Sequence, residues 1–193
     1  MMRFPSLLAR LTRFRRDEDG SYTVETLLAL PLLIWGMIGS LTYIDAYRTQ
    51  TMNLRITYSI ADQVSRLEKP MEASFVDGLG RIYEHLAPPG TDTYLRITSV
   101  IWHETDQKWL IQWSDTTTAS TEASPPCISD TNFHLIEDQI PILADGDSVL
   151  VVETWLDYSP PFSVGIEPRR FDNDVVVSPR WTKIEHQNPD CAP

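Results

Sequence analysis

A glycine–serine step and a lone glutamate near the N-terminus are residues whose types and spacing could do chemistry. Gly20 precedes Ser21, and Glu25 is the one charged residue between Gly20 and Ile44. Cleavage after Gly20 would give Ser21 a free α-amine four residues before the carboxylate of Glu25. Because these opposite charges would lie at the mouth of an apolar helix, they could pair between neighbouring helices of a bundle. The helix dipole also favours an acid at a helix start, so the spacing alone leaves both interpretations open.

The segment that would position these groups is apolar and long. No charge occurs from Thr26 to Ile44, and at about 1.5 Å per residue this run spans roughly 28 Å, the thickness of a bilayer's hydrocarbon core. The sequence therefore predicts a membrane-spanning helix over residues 21–45. Pro31 removes a backbone donor inside this helix and predicts a kink, which membrane helices tolerate.

Small residues occur within the same run. Gly36, Gly39 and Ser40 would allow another helix to approach closely, although their spacing is not that of the GxxxG motif. They also leave open an ordinary secretory signal, cleaved by signal peptidase.

Charge is distributed unevenly about the apolar run. Residues 1–20 hold five arginines and three acidic residues, a balance of +2, whereas residues 21–193 hold 11 basic and 24 acidic residues, a balance of −13. The positive-inside bias places the N-terminus in the cytoplasm and the acidic region on the other side of the membrane. An acidic region without a basic patch excludes nucleic acid as an expected partner.

The N-terminal residues carry a resemblance to a known family. Gly20-Ser21, followed by Tyr-Thr-Val-Glu25 and an apolar helix, resembles the type IV prepilin processing signal. Asp19 to Glu25, with the Leu-Ala-Leu-Pro of residues 28–31, is similar to the start of TadE-like pseudopilins of the tight-adherence (Flp) pilus. The resemblance is strong over about residues 14–50 and weaker near residues 146–158 and at Pro179-Arg180. It is absent in the middle of the chain.

The resemblance implies a processing step and a set of partners. A membrane prepilin peptidase would cut between Gly20 and Ser21 and remove the basic leader, residues 1–20. The amine of Ser21 and the carboxylate of Glu25 would then register neighbouring subunits. The partners would be other pilins or pseudopilins and the inner-membrane platform of the pilus machine. The protein would cross the bacterial inner membrane once, with a periplasmic domain, and would be a minor subunit because that domain is larger than a major Flp pilin.

Periodicity beyond the apolar run predicts an α+β domain over residues 46–193. An amphipathic continuation of the first helix is expected to about residue 69, with its apolar stripe at Met52, Ile56, Ile60, Val64 and Leu67. A second helix is expected over residues 71–87, and strands over residues 94–103, 108–114, 148–158 and 174–184. Pro179 predicts an edge position or a bulge for the last strand. Residues 115–132 are interpreted as a surface loop, and residues 132–139 as a short helix or part of that loop.

The predicted fold class is therefore α+β and pilin-like. One long N-terminal helix, first membrane-spanning and then amphipathic, would pack on an antiparallel sheet of about four strands.

The two cysteines, Cys127 and Cys191, both follow the apolar run. An oxidising compartment would favour one disulfide between them, and two unpaired cysteines are the alternative.

Catalytic and metal-binding patterns were sought along the whole chain. The four histidines do not share ligand spacing, and no nucleophile elbow, phosphate loop or dinucleotide fingerprint occurs. The sequence therefore predicts no enzyme, no metal and no cofactor. The turn at Asp145-Gly-Asp147 leaves calcium as a minor alternative to a plain turn, and the six tryptophans leave a ligand groove as a minor alternative to core packing.

Two other functional classes stay open at the level of sequence. The first is a membrane-anchored binding or sensor domain with an uncleaved signal anchor. The second is a minor pseudopilin of a type II secretion system.

Overall fold

A computed structural model describes residues 21–117, 125–181 and 183–187. Three helices and six strands are assigned within these ranges. In chain order they are α1 (Ser21–Ser65), β1 (Met71–Glu72), α2 (Ala73–Leu86), β2 (Thr93–His103), β3 (Lys108–Thr116), α3 (His134–Glu137), β4 (Ser148–Tyr158), β5 (Arg169–Val177) and β6 (His186–Gln187).

Four of the strands form an antiparallel sheet in the order β3-β2-β4-β5. In the last pairing, Tyr158 lies opposite Arg169 and Leu150 opposite Val177. The short strands β1 and β6 pair in parallel and form a separate two-stranded sheet that the periodicity did not predict. The α+β prediction, a long N-terminal helix on a four-stranded antiparallel sheet, is confirmed.

The principal core lies between the helices and one face of the sheet. Ile56, Ile60 and Val64 of α1 are buried there, as predicted, whereas Met52 is 43% exposed and lies outside the stripe. The helix instead buries a row of small and polar residues. This row faces β4 and β5, begins nearer the N-terminus than the predicted stripe and continues at helical spacing. These additional buried residues are Thr42, Ala46, Thr49, Asn53, Thr57 and Ala61.

The opposite face of the sheet is also covered. Ile128, Ile136 and Ile140 pack with Val149 and Val151 of β4 in a second buried cluster. The interpretation of residues 115–132 as a plain surface loop is therefore wrong where the chain is described beyond residue 124. Strand β4 is apolar on both faces, and each face needs a covering layer.

Two predicted boundaries are corrected. Helix α1 ends at Ser65 and not near residue 69, because the amides of Arg66 and Leu67 turn back to carbonyls three residues earlier. The carbonyl of Ser65 instead accepts the backbone N–H of Arg180 at 2.9 Å.

The last strand of the sheet occupies residues 169–177 and not 174–184. Its first five residues, which lie before the predicted strand, pair with β4 from Tyr158 back to Thr154. Pro179 follows the strand, which lies at the edge of the sheet as expected for a segment next to proline.

Candidate functional site

The first half of α1 stands free of the rest of the chain that the structure describes. Each described side chain from Tyr22 to Met37 is exposed, so this stretch presents an apolar surface on all sides. Its large hydrophobic residues, at least half exposed, are Tyr22, Val24, Leu27, Leu28, Leu30, Leu32, Leu33, Ile34, Trp35 and Met37. Among the described residues, α1 is the one helix long and apolar enough to cross a membrane.

The residues predicted to be processed and to register subunits lie at the free end of this segment. Helix α1 begins at Ser21, and Glu25 lies one turn further on with its side chain exposed. Residues four apart share a helix face, so Ser21 and Glu25 would present their charges to the same neighbour. Gly20 and the leader lie outside the described residues. The cleavage and the pairing between subunits stay predictions.

Pro31 lies in the middle of the free segment. The helix is assigned without interruption from Ser21 to Ser65, with Pro31 inside it. The carbonyl of Leu27 loses its helical donor because proline has no backbone N–H. The kink itself stays a prediction.

The free segment ends where a loop of the domain reaches the helix. This β4–β5 loop, residues 159–168, places a Val164 methyl 3.5 Å from where a side chain on Gly39 would begin. The hydroxyl of Tyr43 donates to the carbonyl of Gly165 at 3.4 Å, and the φ angle of Gly165 is +79°. The surface of Gly39 predicted for another helix is therefore filled by the protein's own loop, whereas Gly36 faces open space.

A partly buried hydrogen bond fixes the end of β4 next to this loop. The hydroxyl of Tyr158 donates to Asp45 Oδ2 at 2.9 Å. Burial, with the nearby carboxylate of Asp45 as the second cause, raises the pKa of Tyr158 to about 12. The neutral phenol is therefore the form that the folded protein favours.

The alkaline stability of the protein is expected to depend on Tyr158. Its pKa is higher in the folded protein than the ordinary value of 10.0, so its contribution is complete below pH 10 and is lost as the pH rises toward 12. Replacement by phenylalanine should remove about 1–2 kcal/mol of that pH dependence, measured by urea unfolding between pH 9 and 12. Tyr58→Phe is the matched control, since Tyr58 is 58% exposed. An unchanged pH profile for the Tyr158 variant would contradict the assignment.

A buried polar cluster joins α1 to the sheet and to α2. The hydroxyl of Tyr83 donates to Asn53 Oδ1 at 2.6 Å, and Asn53 Nδ2 donates to the carbonyl of Phe171 at 3.3 Å. The hydroxyls of Thr57 and Thr154 lie 2.6 Å apart, and Thr154 also reaches Asn53 Oδ1 at 3.3 Å. Burial also raises the pKa of the Tyr83 phenol. Four elements are thereby held in one arrangement.

Asn53 lies outside the predicted apolar stripe of the helix, yet its side chain is completely buried. A usable signal was present in the spacing. Counting in steps of three and four residues from Ala46 leads through Thr49 to Asn53, and then to Ile56 and Ile60. A polar residue at the centre of such a stripe indicates a buried hydrogen-bonding position.

A buried ion pair crosses the outer face of the sheet. Arg96 Nε and Nη2 each lie 2.7 Å from a carboxylate oxygen of Glu153, and both side chains are more than nine-tenths buried. The guanidinium carbon of Arg96 lies 4.9 Å from the ring centroid of Trp155. Its remaining Nη1 donates to the carbonyl of Pro126, which attaches the segment that begins at residue 125 to the sheet.

Cys127, the next residue, is disulfide-bonded. Cys191, its predicted partner, lies outside the described residues, so the pairing stays a prediction.

The residues that the sequence left open as a calcium site form an ordinary turn. Asp145 Oδ1 accepts the backbone N–H of Glu104 at 2.8 Å, and Gly146 has a φ of +78°, both typical of a turn. Within the described ranges, no group of three or more His, Cys, Asp or Glu side chains is arranged to hold a metal ion.

The tryptophans do not line a common groove. Trp113 is buried and donates to the carbonyl of Ile184 at 2.8 Å, Trp102 packs against Trp109, and Trp35 and Trp181 are exposed.

Comparison with known proteins identified no relative of this chain. No family model, no curated protein and no solved structure matches it.

Proposed function

We propose that this protein is a prepilin-like minor pilin, or pseudopilin, that takes part in assembly of a tight-adherence pilus. The observation that carries the proposal is the arrangement of Gly20, Ser21 and Glu25 at the mouth of an apolar helix. That helix continues without interruption into the core of a small α+β domain.

The surface of the free segment supports this proposal. Residues 22–37 have no covering element within the described chain. An apolar surface of this extent needs lipid or other apolar helices around it. A pilin meets lipid before assembly and the helices of other subunits after it.

The position of Glu25 supports the same proposal. A carboxylate among apolar side chains is costly unless it has a partner. In the proposed assembly, the α-amine of Ser21 in a neighbouring subunit supplies that partner. By the same proposal, a prepilin peptidase would act at Gly20 and the domain would lie in the periplasm.

The decisive experiment determines the N-terminal residue of the protein recovered from membranes, by intact mass. A chain that begins at Ser21 is expected. Gly20→Leu should abolish this product, and the matched control Gly36→Leu should not, because Gly36 faces open space. A chain that begins at Met1 would overturn the proposal and favour an anchored binding domain with an uncleaved leader.

A second arm of this experiment addresses Glu25. The variant Glu25→Gln should be processed normally but should lower pilus yield about tenfold or more, since the buried amine of a neighbour would lose its counter-charge. Glu84→Gln, an exposed glutamate on α2, is the control. Normal piliation of the Glu25 variant would exclude the pairing role.

A further inference from the structure

The β4–β5 loop presents apolar side chains away from the domain. Its sequence contains Pro160, Pro161 and Phe162 in succession, and Phe162 is half exposed. The loop joins the strand ends where Tyr158 lies opposite Arg169. Since Tyr158 bonds to Asp45, this is the end of the sheet closest to the apolar half of α1.

The length of the free segment places this loop at a membrane boundary. Residues 22–37, which nothing in the domain covers, extend only about 24 Å along the helix, less than the roughly 30 Å of a hydrocarbon core. The apolar run continues to Ile44, and Asp45 is the first charge after it. The bilayer must therefore extend past Gly39, where Val164 contacts the helix.

A cleft beside the loop adds a basic group at the same level. It has a volume of about 700 Å³, and its walls include Tyr43 and Tyr47 of α1 and Arg169 of β5. Arg169 is exposed, lies with its guanidinium carbon 5.6 Å from the ring centroid of Phe171, and has no ion-pair partner among the described residues. Guanidinium groups bind phosphate well, and tyrosine is enriched at membrane interfaces.

The charge of the domain makes this position unusual. Residues 21–193 carry a balance of −13, which an anionic membrane surface repels. Near the loop, Asp157 is paired with Arg170. Asp45 keeps its negative charge in a hydrogen bond to the neutral phenol of Tyr158, and Glu167 is exposed in the same cleft as Arg169. Arg169 is an exposed cation without an ion-pair partner among the described residues, and it lies at the end of the domain nearest the apolar segment, where it offsets part of this negative charge.

We propose that the β4–β5 loop enters the interface of the bilayer that α1 spans, with Phe162 among the upper acyl chains and Arg169 against the phosphate of an anionic phospholipid. The inference rests on the proposed function in one respect, that α1 crosses a membrane. It adds a second attachment, which fixes how the domain is oriented on the membrane before assembly.

The test measures the depth of a nitroxide label attached to the full chain in vesicles of phosphatidylethanolamine and phosphatidylglycerol. Labels replace Phe162, Ile142 and Leu33 in turn through Cys variants. Ile142 is fully exposed and precedes the Ser148 end of β4, the end away from Asp45. Collisions of the label at Phe162 with a water-soluble nickel complex should be at least about threefold fewer than at Ile142, because the interface excludes the complex.

The three labels separate the inference from the proposed function. If the label at Leu33 is shielded and the label at Phe162 is as accessible as that at Ile142, the loop lies in water and the inference is overturned, while the membrane span stands. If the label at Leu33 is also accessible to the nickel complex, both are overturned.

A further comparison tests the contact between Arg169 and the lipid headgroup. Arg169→Gln, or replacement of phosphatidylglycerol by a zwitterionic lipid, should raise the accessibility of the label at Phe162 about twofold. Arg180→Gln is the matched control, since Arg180 pairs with Asp62 near the opposite end of the domain. Equal accessibility in the two variants would refute the phosphate contact.

Discussion

Replacing Arg96 with alanine is expected to destabilise the protein by about 3–5 kcal/mol. The guanidinium is 3% exposed and forms two hydrogen bonds with the carboxylate of Glu153. Without Arg96, that carboxylate would be left buried and unpaired, and the carbonyl of Pro126 would also lose its donor. Urea unfolding of the full chain in detergent, followed by tryptophan fluorescence, measures the change.

The protein contains its own control for this prediction. Arg170 forms the same two-bond pair with Asp157, but both side chains are 36% exposed. Solvent screens such a pair, so Arg170→Ala should cost no more than about 1 kcal/mol. Equal losses of stability in the Arg96 and Arg170 variants would contradict the conclusion that burial determines the effect of breaking each pair.

A double variant separates the net stabilisation by the ion pair from the destabilisation that follows when one of its charges is left unpaired. Arg96→Met combined with Glu153→Leu removes both charges and keeps apolar volume. Its stability should lie within about 1–2 kcal/mol of the unaltered protein, because no buried charge is left unpaired. A loss as large as that of Arg96→Ala would assign the effect to the contact with Pro126 instead.

Asn53→Ala is the second substitution with a large expected effect, about 2–4 kcal/mol of lost stability. The change removes the 2.6 Å acceptor of the buried Tyr83 hydroxyl, which keeps only the longer bond to the carbonyl of Trp155 at 3.1 Å. It also removes the side-chain donor to the carbonyl of Phe171. Each buried polar group left unsatisfied costs about 1–3 kcal/mol. The same urea unfolding experiment measures the effect.

Gln63→Ala is the matched control for Asn53. It removes an amide from the same helix at an exposed position, where the cost should stay within about 0.5 kcal/mol. Tyr83→Phe should reproduce part of the Asn53 effect, since it removes the donor of the 2.6 Å bond to Asn53. Independent, fully additive losses for the two variants would show that the bond does not couple them.

Periodicity alone predicted the main elements. The sequence Ser148–Tyr158 was predicted with the bounds that the structure gives, because a run rich in β-branched and aromatic residues between turn residues is typical of a strand. The first helix and the other strands of the sheet were likewise predicted from the types and spacing of their residues. The boundary at Arg169 was missed because Arg169-Arg-Phe-Asp-Asn173 owes its strand conformation to pairing with β4, which local pattern does not contain.

The features that only the structure reveals are long-range contacts between polar or small residues. The bond between Tyr158 and Asp45 joins residues 113 positions apart, and the contact of Val164 with Gly39 joins a loop to a helix. Periodicity reports only how apolar residues are spaced along one element. It does not identify the contacts that a residue makes with distant parts of the chain. The residues proposed for processing and subunit pairing present the opposite case, since Gly20 and Glu25 were proposed from a motif and their proposed roles depend on other molecules.

The uninterrupted helix α1 has a mechanical consequence. Its 45 residues form a rod of roughly 68 Å, and its second half is part of the core of the domain. An axial force on the N-terminal end is therefore transmitted straight to the sheet, with no flexible joint to absorb it. Bending under a sideways force concentrates at Pro31, where a backbone hydrogen bond is missing, and that point lies well outside the core. The N-terminal end can tilt while the domain keeps its packing, so in the proposed membrane arrangement extraction from the bilayer would move the domain as one body.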